Sequence, residues 1–216
     1  MKTTHFSTTR GLVAALSLLA IGALPQSARA DVVYSTFGPG NSFSGSSGYD
    51  INGSGIFLGY REQAMRFTPS SSFTLTSVDV GGVTFMGGGT TNFQVVNDAS
   101  GRPGSTVIAS GTITFTGTAS IKSFVASGAV NAGTNYWLTG SPVSSDSSVL
   151  WLHSTPVVNG MVASRSSTVG VWSISSGTQS AFRINGTLLS GSAPEPGTLA
   201  LLALGMVGGV VARRRK

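Results

Sequence analysis

Thr112-Ile113-Thr114-Phe115-Thr116 alternates without a break. Successive side chains on a β-strand point to opposite faces, so Ile113 and Phe115 share one face and the three threonines share the other. That pattern suits a strand with one dry side and one wet side. Residues 106–110 form a second β-rich run just before it, and residues 121–126 form another just after it. Working outward, similar runs rich in Val, Ile, Thr and aromatics fall at 32–36, 56–60, 63–68, 73–80, 92–96, 135–139, 149–153, 161–164, 171–174 and 181–184. Clusters of Gly, Ser, Asn or Pro separate them, as turns require. Ser44-Gly45-Ser46-Ser47-Gly48 reads as a flexible loop, and residues 97–104 read as a turn-rich loop between two strands. No stretch between the two ends of the chain holds an apolar period of 3.6 residues. The expected fold is all-β, a single β-sandwich or jelly-roll domain over residues 31–190.

Composition narrows the function. The chain has 216 residues, of which 40% are hydrophobic and 9% are charged, against ~25% charged in an average soluble protein. There is no cysteine, which excludes a disulfide scaffold, a cysteine zinc site and a thiol nucleophile. The net charge of +6 is not the mark of a nucleic-acid binder. Lys2, Arg10 and Arg29 lie in the first thirty positions, and Arg213, Arg214, Arg215 and Lys216 are the last four. The six bases between them, Arg61, Arg66, Arg102, Lys122, Arg165 and Arg183, are balanced by Asp31, Asp50, Glu62, Asp79, Asp98 and Asp146. A neutral domain lacks the basic surface that nucleic acid demands.

The terminal charges read as addresses. Lys2 and Arg10 precede an uncharged apolar run at 11–23, Pro25 breaks it, and Ala28-Arg29-Ala30 supplies a small-x-small cleavage pattern. Residues 1–30 are therefore expected to be a secretory signal peptide, cut between Ala30 and Asp31. At the other end, residues 197–212 carry no charge and four basic residues follow at once. Sixteen helical residues reach ~24 Å, slightly less than a hydrocarbon core. The expectation is a single transmembrane helix over 197–212 with the basic tail 213–216 in the cytoplasm and the domain outside. Residues 191–193 form a short linker before Pro194-Glu195-Pro196. The two prolines lack amide donors and keep that stretch extended, the form a protease binds.

Pro194-Glu195-Pro196, the apolar run after it and Arg213-Arg214-Arg215-Lys216 together resemble the PEP-CTERM sorting signal, over residues 194–216. The resemblance implies a Gram-negative bacterium and recognition by exosortase, a membrane protease-transpeptidase that removes the tail. It also implies a cell that makes exopolysaccharide. The middle region resembles the choice-of-anchor R domains of exported bacterial proteins. Three blocks carry that likeness: residues 97–104 with the run at 106–110, Ala132-Gly133-Thr134-Asn135-Tyr136-Trp137-Leu138, and Ala181-Phe182-Arg183-Ile184-Asn185-Gly186. This second resemblance implies no catalytic residue.

Residues with chemistry are sparse. His153 is the single histidine after the signal segment, so a serine triad would have to use it, and no Gly-x-Ser-x-Gly elbow accompanies it. Neither Gly81-Gly82 nor Gly87-Gly88-Gly89 is followed by the Lys-Ser/Thr of a phosphate loop. Asp50, Glu62, Asp79, Asp98 and Asp146 are scattered singly. Glu62 is expected in a solvated ion pair beside Arg61, and Asp98 is expected to bond its own loop rather than calcium. The aromatics give the better lead. Trp137, Trp151 and Trp172 fall in runs of strand type. If Leu150 and Leu152 face the core, Trp151 faces outward, and of Tyr136 and Trp137 one points in and one points out. Tyr136, Trp137 and Trp151 are then candidates to stack on sugar rings. The alternative is that tryptophans fill the core or a sheet edge.

The expected protein is non-enzymatic, with no cofactor and no metal. It is held at first in the membrane by its C-terminal helix, then sorted to the cell surface or extracellular matrix, in association with exopolysaccharide. One alternative is a dedicated carbohydrate-binding module using Tyr136, Trp137 and Trp151. The other is a polysaccharide hydrolase or lyase using two of the acids.

Overall fold

The computed structural model describes residues 30–189. Ala28, the rest of the signal segment through residue 29, the linker, the sorting motif and the expected transmembrane helix lie outside the described residues. Ala30 is exposed, and the first strand opens at once behind it.

Among the described residues the chain is all-β, in two antiparallel sheets. The first sheet contains β1 (Asp31–Ser35), β2 (Phe43–Asn52), β4 (Phe73–Thr84), β7 (Ser120–Val125), β8 (Ala129–Val130), β10 (Ser148–Ser154) and β13 (Phe182–Leu188), with the path β1-β13-β4-β10-β2 and β7 and β8 on β4. The second runs β12-β11-β3-β9-β5-β6, from β3 (Glu62–Phe67), β5 (Thr90–Asp98), β6 (Pro103–Thr114), β9 (Tyr136–Pro142), β11 (Asn159–Arg165) and β12 (Ser173–Thr178). One apolar cluster takes side chains from both sheets, including Val78, Val80, Trp151, Phe182 and Ile184 from the first and Met65, Phe67, Phe93, Leu138 and Ile113 from the second. This is the arrangement of a β-sandwich, with inward residues alternating along each strand.

The long strand β4 organises the first sheet. Its residues Ser77 to Val80 pair with both β13 and β7, which therefore take opposite edges. Gly82 pairs with both Ser120 of β7 and Trp151 of β10, so β10 continues the edge that β13 leaves. The alternation at 112–116 holds: Ile113 and Phe115 are buried and the three threonines are exposed. The Phe115 ring lies over Gly82, where a Cβ would stand 2.7 Å from the ring carbon Cζ. Gly82 is thus a packing glycine, which admits an aromatic ring against the backbone.

Three expectations about elements are corrected. Residues 44–48 are not a loop but part of β2, an outer strand paired with β10 through Tyr49↔Trp151 and Gly48↔Leu152. Its serines and glycines pair through the backbone, and an edge strand needs no apolar alternation to do so. Residues 56–60 are not a strand; they close turns, with Gly59 N–H donating to the Ile56 carbonyl at 2.8 Å. The run at 171–174 begins late, because β12 starts at Ser173.

Asp79 joins three strands of the first sheet. It accepts from Ser123 Oγ at 2.5 Å, Arg183 Nε at 2.8 Å and Asn185 Nδ2 at 3.1 Å, and its pair with Arg183 closes at 2.7 Å. Burial alone would raise its pKa, but these bonds and the Arg183 charge outweigh burial and hold the carboxyl below the usual carboxylate range. A carboxylate depressed in the folded state stabilises above its unfolded pKa, and that stability is lost as the pH falls through the folded value. The melting temperature is expected to fall below about pH 4, and Asp79→Asn is expected to flatten that part of the profile while lowering the pH 7 value. Parallel acid limbs in thermal melts of the two proteins would place the acid sensitivity elsewhere.

Candidate functional site

The outer face of the second sheet carries the site. Antiparallel register sets its rows: Arg165↔Glu62, Ala163↔Ala64, Ala64↔Thr139 and Thr139↔Gln94 lie side by side across β11, β3, β9 and β5. Ala64 and Ala163 are small and adjacent, and they leave a depression in the face. Trp172, carried on the connection between β11 and β12, fills it and forms a second apolar cluster with Ala64, Val96, Trp137 and Ala163. Arg102 Nη1 donates to the Trp172 carbonyl at 2.7 Å, and the Arg165 guanidinium lies 4.7 Å from the Trp172 ring centroid, within cation–π range.

Arg165 in turn meets Glu62, with Nε and Nη2 each 2.7 Å from Oε2. The Tyr60 hydroxyl donates to the other oxygen, Oε1. Burial, that hydrogen bond and the Glu62 charge push the Tyr60 hydroxyl well above the usual phenol range, so Tyr60 stays a donor. Glu62 is 4% exposed. The expected solvated pair with Arg61 is corrected: the partner is Arg165, 103 positions away in sequence but directly opposite in the sheet.

Beside this group opens a cleft of about 490 Å³, a size ordinary for small-ligand sites. Gln94, Thr139 and Ser141 contribute its polar lining. Trp172 and Arg165 belong to it, as do Ala99, Pro103 and Ser105 from the β5–β6 turn. Thr139 Oγ1 donates back to the Gln94 carbonyl at 3.3 Å and Ser141 Oγ donates to the Asn92 carbonyl at 3.4 Å. The Gln94 side-chain amide makes no hydrogen bond to the described residues. Glu62 and Arg165 are the charged groups that line the cleft, and they neutralise each other.

The expected stacking platform is corrected. Trp137 and Trp151 are 0% exposed and Tyr136 is 5% exposed. Tyr136 and Trp137 do point to opposite sides, one into the main core and one into the outer cluster, but the outer side is itself roofed by Trp172. Trp151 faces the main core, edge-on to Phe93 at 5.2 Å and Phe182 at 6.2 Å, with Nε1 donating to the Ala181 carbonyl at 3.2 Å. Leu152 is buried too, so β10 is apolar on both faces and its leucines do not reveal which face is the core.

The acids are placed separately. Asp98 accepts from Trp137 Nε1 at 2.7 Å and from the Gly101 amide at 2.8 Å; it bonds its own loop and ties that loop to β9. Asp146 accepts from Ser144 Oγ at 2.5 Å. Among the described residues no group of three His, Cys, Asp or Glu is placed to hold a metal. His153 Nδ1 lies 3.0 Å from Ser47 Oγ, and its Nε2 has no hydrogen-bond partner among the described residues. Burial lowers the His153 pKa. Gln94 and Arg165 were not singled out from sequence, because their adjacency to Glu62 exists only once β11, β3, β9 and β5 are paired.

The fold and this cleft define a β-sandwich domain with a neutral groove of mixed polar and apolar lining on the outer face of its second sheet. Residues 192–216 match the model of the PEP-CTERM protein-sorting motif, beginning two positions before the boundary read from the residues. The match implies export, sorting to the cell surface and recognition by exosortase. No curated protein matches the chain. Among the described residues no helix is long and apolar enough to cross a membrane.

Proposed function

We propose that this is a non-enzymatic protein of the cell surface or extracellular matrix, associated with exopolysaccharide. Residues 1–30 act as signal peptide, residues 31–190 as the working domain, and 197–212 as the temporary membrane anchor. The sorting motif at 192–216 carries this reading. The likeness of the middle region to choice-of-anchor R domains agrees with it. The non-enzymatic part is supported by the cleft, where Glu62 is the one lining carboxylate and is held by Arg165. Glycoside hydrolysis ordinarily takes two carboxyl groups flanking the bond.

Processing is tested by intact mass. Protein recovered from the cell surface is expected to end near Pro194-Glu195-Pro196, and alanine at those three positions is expected to leave the full-length chain. Recovery of the native protein through Lys216 would overturn exosortase processing. Association is tested by retention on the producing organism's own exopolysaccharide at low and high salt. Retention at both is expected of a neutral domain, since it has little charge attraction to screen. Flow-through at both salts would overturn the association.

A further inference from the structure

We propose that the cleft beside Trp172 is the glycan contact itself, and that it takes neutral, hydroxyl-rich sugar residues of a polysaccharide chain. This rests on the exopolysaccharide reading and goes beyond it by naming the site and the sugar chemistry. Three features of the cleft carry it.

The first is charge. Arg165 spends Nε and Nη2 on Glu62, so the cationic group of the cleft is already paired. A uronate or sulfate entering here would give up water without finding an unpaired cation, and a neutral sugar carries no such cost. The second is hydrogen bonding. Gln94 projects an amide with two donors and one acceptor, unused by the described residues, at the edge of a wall that also holds Thr139, Ser141 and Ser105. Vicinal sugar hydroxyls offer both a donor and an acceptor, which is the pairing an amide satisfies best. The third is the mixture of surfaces. Pro103, Val107 and Trp172 lie against this polar row, and a pyranose likewise presents apolar C–H faces beside its hydroxyls. The cleft is open to the surface rather than enclosed, so a sugar residue of a polymer can reach it from outside.

The experiment uses the full chain in detergent and two probes, the native exopolysaccharide and the same polymer with its carboxyl groups chemically reduced. Ser105 is exposed, so Ser105→Trp plugs the groove without touching the core; Gln94→Ala removes the amide. Each is expected to weaken retention about tenfold, the worth of one or two hydrogen bonds, with melting temperature unchanged. Lys122→Ala, at an exposed residue of β7 in the other sheet, is the control and is expected to bind as the native chain does. Equal retention of the native and reduced polymers is expected. Loss of binding on carboxyl reduction overturns the neutral-sugar assignment. Full retention by both Ser105→Trp and Gln94→Ala overturns the cleft as the site, while leaving association with the polymer standing. Failure of the native chain to bind either polymer overturns both readings, and a protein partner is then sought.

Discussion

Trp151→Ala is expected to lower the unfolding free energy by about 3–5 kcal/mol, the usual loss for a large aromatic truncated in a core. The ring is fully buried and lies edge-on to Phe93 from the facing sheet and to Phe182 from its own. Its removal leaves a void between two sheets that are each held by their own ladders, so little collapse can fill the space. The Ala181 carbonyl also loses the indole donor. Urea unfolding followed by far-UV circular dichroism reads the effect without relying on the lost fluorophore. A lower midpoint with an unchanged slope is the expected result. A midpoint equal to that of the native protein would mean that the ring does not bridge the sheets.

Glu62→Ala is expected to cost about 3 kcal/mol, at the low end for breaking a buried ion pair because Arg165 keeps some water. Its side chain is 24% exposed. The substitution strands a guanidinium over Trp172 and leaves the Tyr60 hydroxyl without its acceptor. Arg165→Met on its own removes the cation but leaves a buried carboxylate, so it too is destabilising. The double variant Glu62→Ala/Arg165→Met buries no unpaired charge. It is expected to be more stable than the sum of the single losses predicts, by about 1–3 kcal/mol of coupling. Additive losses in the cycle would show that the two groups do not interact in solution.

The legible parts of this protein were those written locally. Thr112 to Thr116 states its strand and its dry face in five residues, and the sorting motif is a linear string. The illegible parts depend on distant pairing. Glu62 meets Arg165 across 103 positions of chain, which no local pattern announces. Ser44 to Gly48 looks like a linker because an edge strand rich in serine and glycine has no apolar period. Trp151 misled because both faces of its strand carry apolar residues. Trp172 gave the opposite difficulty: it resembles a strand residue but works from a connection, folding back onto two alanines whose smallness has no meaning until β3 and β11 lie side by side.

The last strand of the described residues, β13, enters the sheet between β1 and β4 and is paired on both edges, through Asp31↔Gly186 to Ser35↔Arg183 and through Phe182↔Val80 to Leu188↔Phe73. Hydrogen bonds in an antiparallel ladder run perpendicular to the strands. A tug on the chain beyond Leu189, along the direction of β13, therefore loads two ladders in shear, so that many bonds resist together instead of opening one after another. Load arriving from that end would therefore meet an element paired along both edges before it reached the rest of the sandwich.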